Sequence, residues 1–261
     1  MIRRLRATVL LVTTVAFLVA ACNGTSSAPP LTDPTEIVTA ALKSTEAAKS
    51  VHVDIAVDGK ATVSMPGAGG LGLPVNLAGT TASADIDLAK SAAKATIAVP
   101  GLLNFAAELI AVDGKVYTKT TLTGPLYQVS DASRAAIDPS KTKGMIDNLG
   151  DLLLKEGVTL VKGEDVACGS KQCYTVSADL TAAQLGTAGA SALSGLPLDL
   201  TGASLKLTVR VEKDLPHHLA GVTAVLTLPD GSAVTADLTA SKWDEPVSIS
   251  APPADQVKPA S

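Results

Sequence analysis

The feature that most constrains this chain is a period-two alternation that keeps returning. Val51, Val53, Ile55 and Val57 interleave with His52, Asp54 and Asp58. The same beat recurs at Ala82/Ala84/Ile86/Leu88, Ala95/Ile97/Val99, Phe105/Ala107/Leu109/Ala111, Leu205/Leu207/Val209/Val211, Val222/Ala224/Leu226/Leu228 and Val234/Ala236/Leu238. Successive side chains of a strand point to opposite faces, so each run predicts a strand with one buried and one wet face. Asp58-Gly59, Asp113-Gly114 and Asp230-Gly231 read as tight turns between such runs, which makes neighbouring strands antiparallel.

Helices interrupt the strands in two places. Asp33-Pro34-Thr35-Glu36 is a capping box with proline at the first helical position, and Ile37, Val38, Ala41, Leu42, Thr45 and Ala48 follow on one face. A second helix is predicted from Asp138-Pro139 to Lys155, with Met145, Ile146, Leu149, Leu152 and Leu153 as its apolar face and Gly157 beyond its end. A shorter helix is expected to start at Thr181 and carry Leu185. The fold class is therefore α+β, a single antiparallel sheet with a few helices on one side. Met65 to Pro74 and Gly186 to Gly202 fit no element. Both are glycine-rich yet apolar, and apolar loops either pack over something or touch something.

The first residues read as an export signal. Arg3, Arg4 and Arg6 precede an apolar run from Ala7 to Ala21 that is shorter than the roughly 20 residues a membrane-spanning helix needs. Val19-Ala20-Ala21-Cys22 closes it with small residues and a cysteine, as lipoprotein processing requires. Residues 1–21 are thus read as a signal peptide, Cys22 as the acylated anchor, 22–31 as a flexible tether and 32–261 as one domain. Two or three acyl chains, each contributing about 0.8 kcal/mol per buried methylene, would hold the protein on the outer side of the cell membrane.

Removing residues 1–21 takes away three arginines and no acid, so the formal charge moves from −4 to −7, and nothing here attracts nucleic acid. In an oxidising compartment Cys168 and Cys173, which bracket Gly169-Ser170-Lys171-Gln172, are expected to form a disulfide across a hairpin tip. No residues stand out as catalytic or metal-ligating. Gly67-Ala68-Gly69-Gly70-Leu71-Gly72 has the dinucleotide-binding spacing, but Pro74 and Gly79 forbid the helix which that motif must open. His52, His217 and His218 read as surface residues, and Asp85, Asp87, Glu108, Asp237 and Asp244 as a solvated strand face.

Hydrophobic residues make up 46% of the chain but aromatics only 2%. Ala, Val and Leu across a wide sheet fill space poorly. Either the helices descend far into the sheet, or a void is left for an apolar guest.

Several segments, in this order, resemble the mycobacterial LppX/LprAFG lipoproteins: Val19-Ala20-Ala21-Cys22, the helix running through Leu42-Lys43-Ser44 to Ser50-Val51-His52, Val112-Asp113-Gly114-Lys115-Val116-Tyr117, the Ile137-Asp138-Pro139 lead-in to a helix ending Lys155-Glu156-Gly157, and Leu238 to Val247. Cys168 and Cys173 stand outside the shared pattern. The resemblance implies a half-barrel antiparallel sheet whose concave face, roofed by helices, encloses a hydrophobic cavity. It also implies a non-enzymatic carrier of multi-acyl lipids or glycolipids across the periplasm to the outer envelope, with a membrane lipid exporter as a partner. Under it, Leu42, Val53, Ile55, Ala84, Ile86, Ile97, Phe105, Leu149, Leu153, Leu207, Val209, Ala224 and Leu226 would line the cavity. Leu71, Leu73, Leu196 and Leu198 would rim its portal. A filled-core envelope adaptor or signalling lipoprotein is the rival reading.

Overall fold

The computed structural model describes residues 29–64, 72–132, 142–184 and 202–259. The signal segment and Cys22 therefore lie outside the described residues, as do Leu71, Leu185, Leu196, Leu198 and the predicted helix start at Asp138-Pro139.

A helix α1 (Pro34–Ala47) leads into strands β1 (Ser50–Ser64), β2 (Gly72–Asn76), β3 (Thr80–Asp87), β4 (Ala92–Val99), β5 (Phe105–Val112), β6 (Lys115–Thr120) and β7 (Gln128–Asp131). After α2 (Thr142–Leu153) come β8 (Val161–Lys162), β9 (Val166–Cys168), β10 (Lys171–Thr181), β11 (Ser204–Glu212), β12 (Leu219–Thr227) and β13 (Ala233–Ser241). The strands form one curved antiparallel sheet that does not close into a barrel, ordered β7-β6-β5-β4-β3-β1-β13-β12-β11-β10-β8. β2 adds to β1 and β9 to β10 off this path. The first strand thus lies between β3 and the last strand, β13.

Register puts the alternating apolar residues on one face. A single row runs Val176, Val209, Val222, Leu238, Ile55, Ala82, Ile97, Ala107 and Thr120 across nine strands. The neighbouring row runs Thr175, Arg210, Gly221, Thr239, Asp54, Ser83, Thr96, Glu108 and Lys119 on the other face. A one-residue slip anywhere would exchange the two faces, so the pattern itself specifies the pairing.

α1 begins as its sequence predicts: Asp33 accepts a hydrogen bond from the Glu36 N–H at 2.9 Å, and Pro34 opens the helix. It buries Ile37, Val38 and Ala41 together with Leu152 and Leu153 of α2 against the apolar face of β10, β11 and β12. Helix–helix contact is close because position 150 is glycine, where an added Cβ would come within 2.9 Å of the Leu42 Cδ1. At Thr181 the short helix starts with a reciprocal cap, Gln184 N–H to Thr181 Oγ1 at 3.4 Å and Thr181 N–H to Gln184 Oε1 at 2.9 Å.

Several expectations need correction. Asp58-Gly59 is no hairpin turn: β1 runs straight through it, and Gly59, at φ +123°, bends the strand where it leaves β13 and takes β2 as its partner. A side chain there would also collide with the Ala233 carbonyl. Leu73 is not in a loop. Gly72–Asn76 pairs with Lys60–Ser64, and Leu73 sits opposite Val63. His217 and His218 are buried beside a loop containing the cis Leu215–Pro216 bond; the closing segment brings Trp243 over His218, while His217 lies against Tyr174 with its Nδ1 3.1 Å from the Glu212 carbonyl. Asp87 is buried as well, accepting from the Lys90 N–H at 2.9 Å and pairing with its ammonium at 3.1 Å. Asp113-Gly114 and Asp230-Gly231 do join paired strands, with both Asp113 and Gly114 at positive φ.

Candidate functional site

The apolar face divides into two wings on either side of β1. On the β10–β12 wing, Leu207, Val209 and Leu226 are buried beneath α1 and α2 with Leu153, and Ala224, Leu42 and Leu149 pack at the margin of that cluster. On the β3–β5 wing the residues are small and half-buried: Val53 faces Ala84 and Ile55 faces Ala82, while Ile86, Ile97 and Phe105 follow on the same face. Among the described residues, Leu109, Ala111 and Val116 form a second, small core there. Both helices therefore cover the wing with the larger side chains, and the alanine-rich wing keeps partial exposure. No charged side chain points from these rows, so the wing presents an apolar surface.

The opposite face carries a groove of about 850 Å³ that periodicity alone did not reveal. Asp54, Ser83, Thr96 and Glu108 line it beside Ala56, Ala98 and Ala106. Here Tyr127 donates its hydroxyl to Glu108 at 2.6 Å, and the Lys119 ammonium pairs with the same carboxylate at 2.8 Å. Lys119 first and Tyr127 second hold the Glu108 carboxyl below the usual range. Burial, then that hydrogen bond, pushes the Tyr127 phenol up. Further along, Arg210 grips Asp237 with both terminal nitrogens, at 3.1 and 3.2 Å, while Thr223 donates to the same carboxylate at 2.6 Å. Burial raises the Asp237 pKa, but the Arg210 and Thr223 bonds outweigh it and the net direction is down. His52 is clasped by Asp85 at 2.7 Å and Asp54 at 3.2 Å. The Glu108–Lys119, Arg210–Asp237 and His52–Asp85 pairs join different strands and stabilise a sheet face, whereas His52–Asp54 lies within β1. The pairs between strands could have been found only once strand partners were known.

Beyond β13, residues 242–259 contact β1 and the β6–β7 connection. Ser50 donates to the Glu245 carbonyl at 2.6 Å, and Tyr127 exchanges backbone bonds with Gln256 and Lys258. The Cys168–Cys173 disulfide closes the β9–β10 hairpin, with Cα atoms 5.9 Å apart; Cys173 is fully buried.

The family model described as LppX_LprAFG lipoprotein matches residues 33–249, from the cap of α1 to the segment beyond β13. The chain belongs to this lipoprotein family. LppX_LprAFG relatives include proteins named lipoarabinomannan carrier protein LprG from Mycobacterium tuberculosis and Mycobacterium bovis, each 27% identical over 93% of this chain and 92% of its own. Among solved structures the fold is similar to LprF from Mycobacterium bovis, with a TM-score of 0.59, 20% identity and coverage of 86% of this chain and 99% of that one. It is also similar to LppX from Mycobacterium tuberculosis, at a TM-score of 0.54, 19% identity, 83% and 98%. The LppX_LprAFG fold is thus the curved open sheet with few helices seen here.

Proposed function

We propose that this protein is a lipid-anchored, non-enzymatic carrier that takes multi-acyl lipids or glycolipids on the apolar face of its sheet and passes them across the periplasm to the outer envelope. The observation that carries the reading is the apolar row through eight strands, sealed by helices over β10–β12 but only half-covered over β1 and β3–β5. Relatives named as lipoarabinomannan carriers support the cargo class. Acyl chains lying between the alanine-rich wing and the helical layer would each gain about 0.8 kcal/mol per methylene removed from water. Release into water is then too costly, and the cargo is handed to a membrane or to a partner such as a membrane lipid exporter. Leu73, Leu71, Leu196 and Leu198 belong to the segments proposed as the portal. Acylated Cys22 keeps the carrier at the membrane where cargo is loaded.

The test is to secrete a form starting at Thr32 from a mycobacterial host and purify it without detergent. Organic extraction and mass spectrometry should find stoichiometric multi-acyl lipid. Lipid-free protein from that host would overturn the reading in favour of a filled-core adaptor or signalling lipoprotein.

A further inference from the structure

The chain beyond β13 braces the open sheet at three places. Trp243 stacks on His218, just before β12, with ring centroids 4.9 Å apart, and its indole N–H donates to the Leu219 carbonyl at 3.0 Å. At the start of β1, Asp244 accepts from the Lys49 N–H at 2.7 Å, its own N–H donates to the Ser50 carbonyl at 3.1 Å, and Ser50 Oγ donates to the Glu245 carbonyl at 2.6 Å. The far anchor is Tyr127, before the edge strand β7. Its N–H donates to the Gln256 carbonyl at 2.8 Å, and its carbonyl accepts from the Lys258 N–H at 2.9 Å. Between the second and third anchors Val247, Ile249 and Pro252 are half-buried while Ser248, Ser250 and Ala251 are exposed, so the segment is packed along one side. In the sheet β12 and β7 stand seven strand spacings apart. Strand pairing fixes each neighbour and leaves the opening between the wings to accumulated twist, whereas a segment held at both wings restrains that opening directly.

The first anchor rests on a titratable ring with no place for a second proton. His218 is buried, and its Nδ1 has no hydrogen-bond partner among the described residues. A neutral imidazole tolerates this with its one proton on Nε2, which faces an Asp244 oxygen at 3.8 Å. A second proton would make Nδ1 a buried donor without an acceptor, which is costly. The charged groups around the ring supply none. Glu212, at the end of β11, is held by Lys171 of β10 at 2.6 Å, and Asp244 of the closing segment is engaged by the Lys49 N–H. His217, the neighbouring titratable ring, turns its own Nδ1 to the Glu212 carbonyl at 3.1 Å. Burial keeps His218 below the ordinary 6.5 although Glu212 and Asp244 pull the other way, and Lys171 adds to the depression. An opened ring regains the ordinary value, so opening takes up a proton and is favoured as pH falls below about 6.5.

We propose that residues 243–258 form an acid-released strap: protonation of His218 lifts Trp243 from the ring, and the spacing between the β10–β12 wing and the β3–β7 wing is then no longer held. Lifting the indole, which covers one face of the imidazole, admits water to the ring and gives Nδ1 the partner it lacks. The release is local, because Tyr127 still binds the far end of the strap and the strand ladders stay paired. Its purpose rests on the carrier reading. The angle between the wings bounds the apolar face on which cargo would lie, so the strap would regulate release from that same site in mildly acidic surroundings.

The experiment uses the full acylated chain in phosphatidylcholine vesicles, where Trp243 is the one tryptophan and reports the first anchor by itself. Between about pH 7.5 and 5 its emission should move to the red and its quenching by acrylamide should rise several-fold, with the far-ultraviolet circular dichroism unchanged. With Cys168 and Cys173 paired and Cys22 acylated, K115C together with K206C presents one exposed thiol on each wing for spin labels, measured against the labelled unsubstituted chain. The distance distribution between them should broaden over the same interval. His218→Phe should keep both readouts at their neutral values. Lys258→Pro removes the N–H that binds Tyr127 and should broaden the distance at neutral pH while Trp243 stays shielded, which tests the strap even where the His218 variant fails to fold. Trp243 shielded throughout, the same transition in His218→Phe, or a wing distance that stays fixed either as Trp243 becomes exposed or in Lys258→Pro would each overturn the proposal. Neither readout involves cargo, so loss of the carrier reading and loss of the strap give different results.

Discussion

His218 lies flat against Trp243, with ring centroids 4.9 Å apart and planes within 8° of parallel. The indole N–H donates to the Leu219 carbonyl at 3.0 Å, which fixes the ring that covers the histidine. His218 Nδ1 is buried without a partner. Burial pushes its pKa below the ordinary 6.5, against the opposing pull of Glu212 and Asp244, with Lys171 adding to the depression. A base depressed in the folded state stays neutral there, so its contribution to stability is complete above about pH 6.5 and is lost as pH falls below that value. Melting temperatures between pH 7.5 and 5 should fall for the parent protein. His218→Phe should flatten the slope over that interval; an unchanged slope would assign it elsewhere.

Position 221 tests the Arg210–Asp237 grip. A Cβ on Gly221 would run into the Arg210 guanidinium and the Leu238 carbonyl. Gly221→Ala should therefore displace Arg210 and cost about 1–3 kcal/mol, the usual range for overpacking, seen in urea unfolding as a lower midpoint at constant slope.

Trp substitutions separate the two wings. Ala84, half-buried on the thinly covered wing opposite Val53, should accept Trp with an unchanged melting temperature but reduced bound lipid. Val209, 2% exposed beneath the helices, should not: Val209→Trp should lower stability by about 1–3 kcal/mol or more. Equal melting losses at both sites would indicate a close-packed sheet face throughout.

The Cys168–Cys173 loop is short, and chain entropy limits its stabilisation to about 2 kcal/mol. Non-reduced protein should show neither thiol to an alkylating reagent. Reduction should lower the melting temperature modestly without unfolding the domain.

Cys22→Ala should leave an uncleaved precursor that keeps Met1 or its neighbours. Mass spectrometry of the parent protein should instead show a diacylglycerol-bearing Cys22 at the amino terminus. An unmodified Cys22 would remove the anchor and with it the tethered mode of action.

Much of this fold was legible because each strand's alternation is local. Val53, Ile55, Ala84, Ile97 and Leu207 can be placed on one face from spacing alone, and Asp33-Pro34-Thr35-Glu36 announces α1 within four residues. What was hidden depends on partners far along the chain. Asp58-Gly59 carries the same turn chemistry as Asp113-Gly114, and only the pairing of β1 with both β13 and β2 shows that it bends a strand. His217 and His218 follow a proline in a polar stretch, and their burial comes from Tyr174 against the first and Trp243 of the closing segment against the second. The groove around Asp54 and Glu108 is built from Thr, Ser, Ala and carboxylates, a composition indistinguishable from a solvated strand face. Which wing the helices cover is set by side-chain bulk across strand neighbours, which a single run of residues does not display.

The central place of β1 has a consequence for assembly. Its neighbours are β3, close in sequence, and β13, the last strand to emerge from any machine that delivers the chain amino terminus first. Until Ser241 is free, one full edge of β1 stands open, with unpaired backbone groups from His52 to Gly59. The β3–β7 wing can form beforehand as a meander of short-range hairpins, whereas joining it to the β10–β13 wing demands contacts of high sequence separation, which are slow to make. A nascent molecule therefore spends its most aggregation-prone interval as an unjoined half-sheet, and dilution during that interval becomes a determinant of yield.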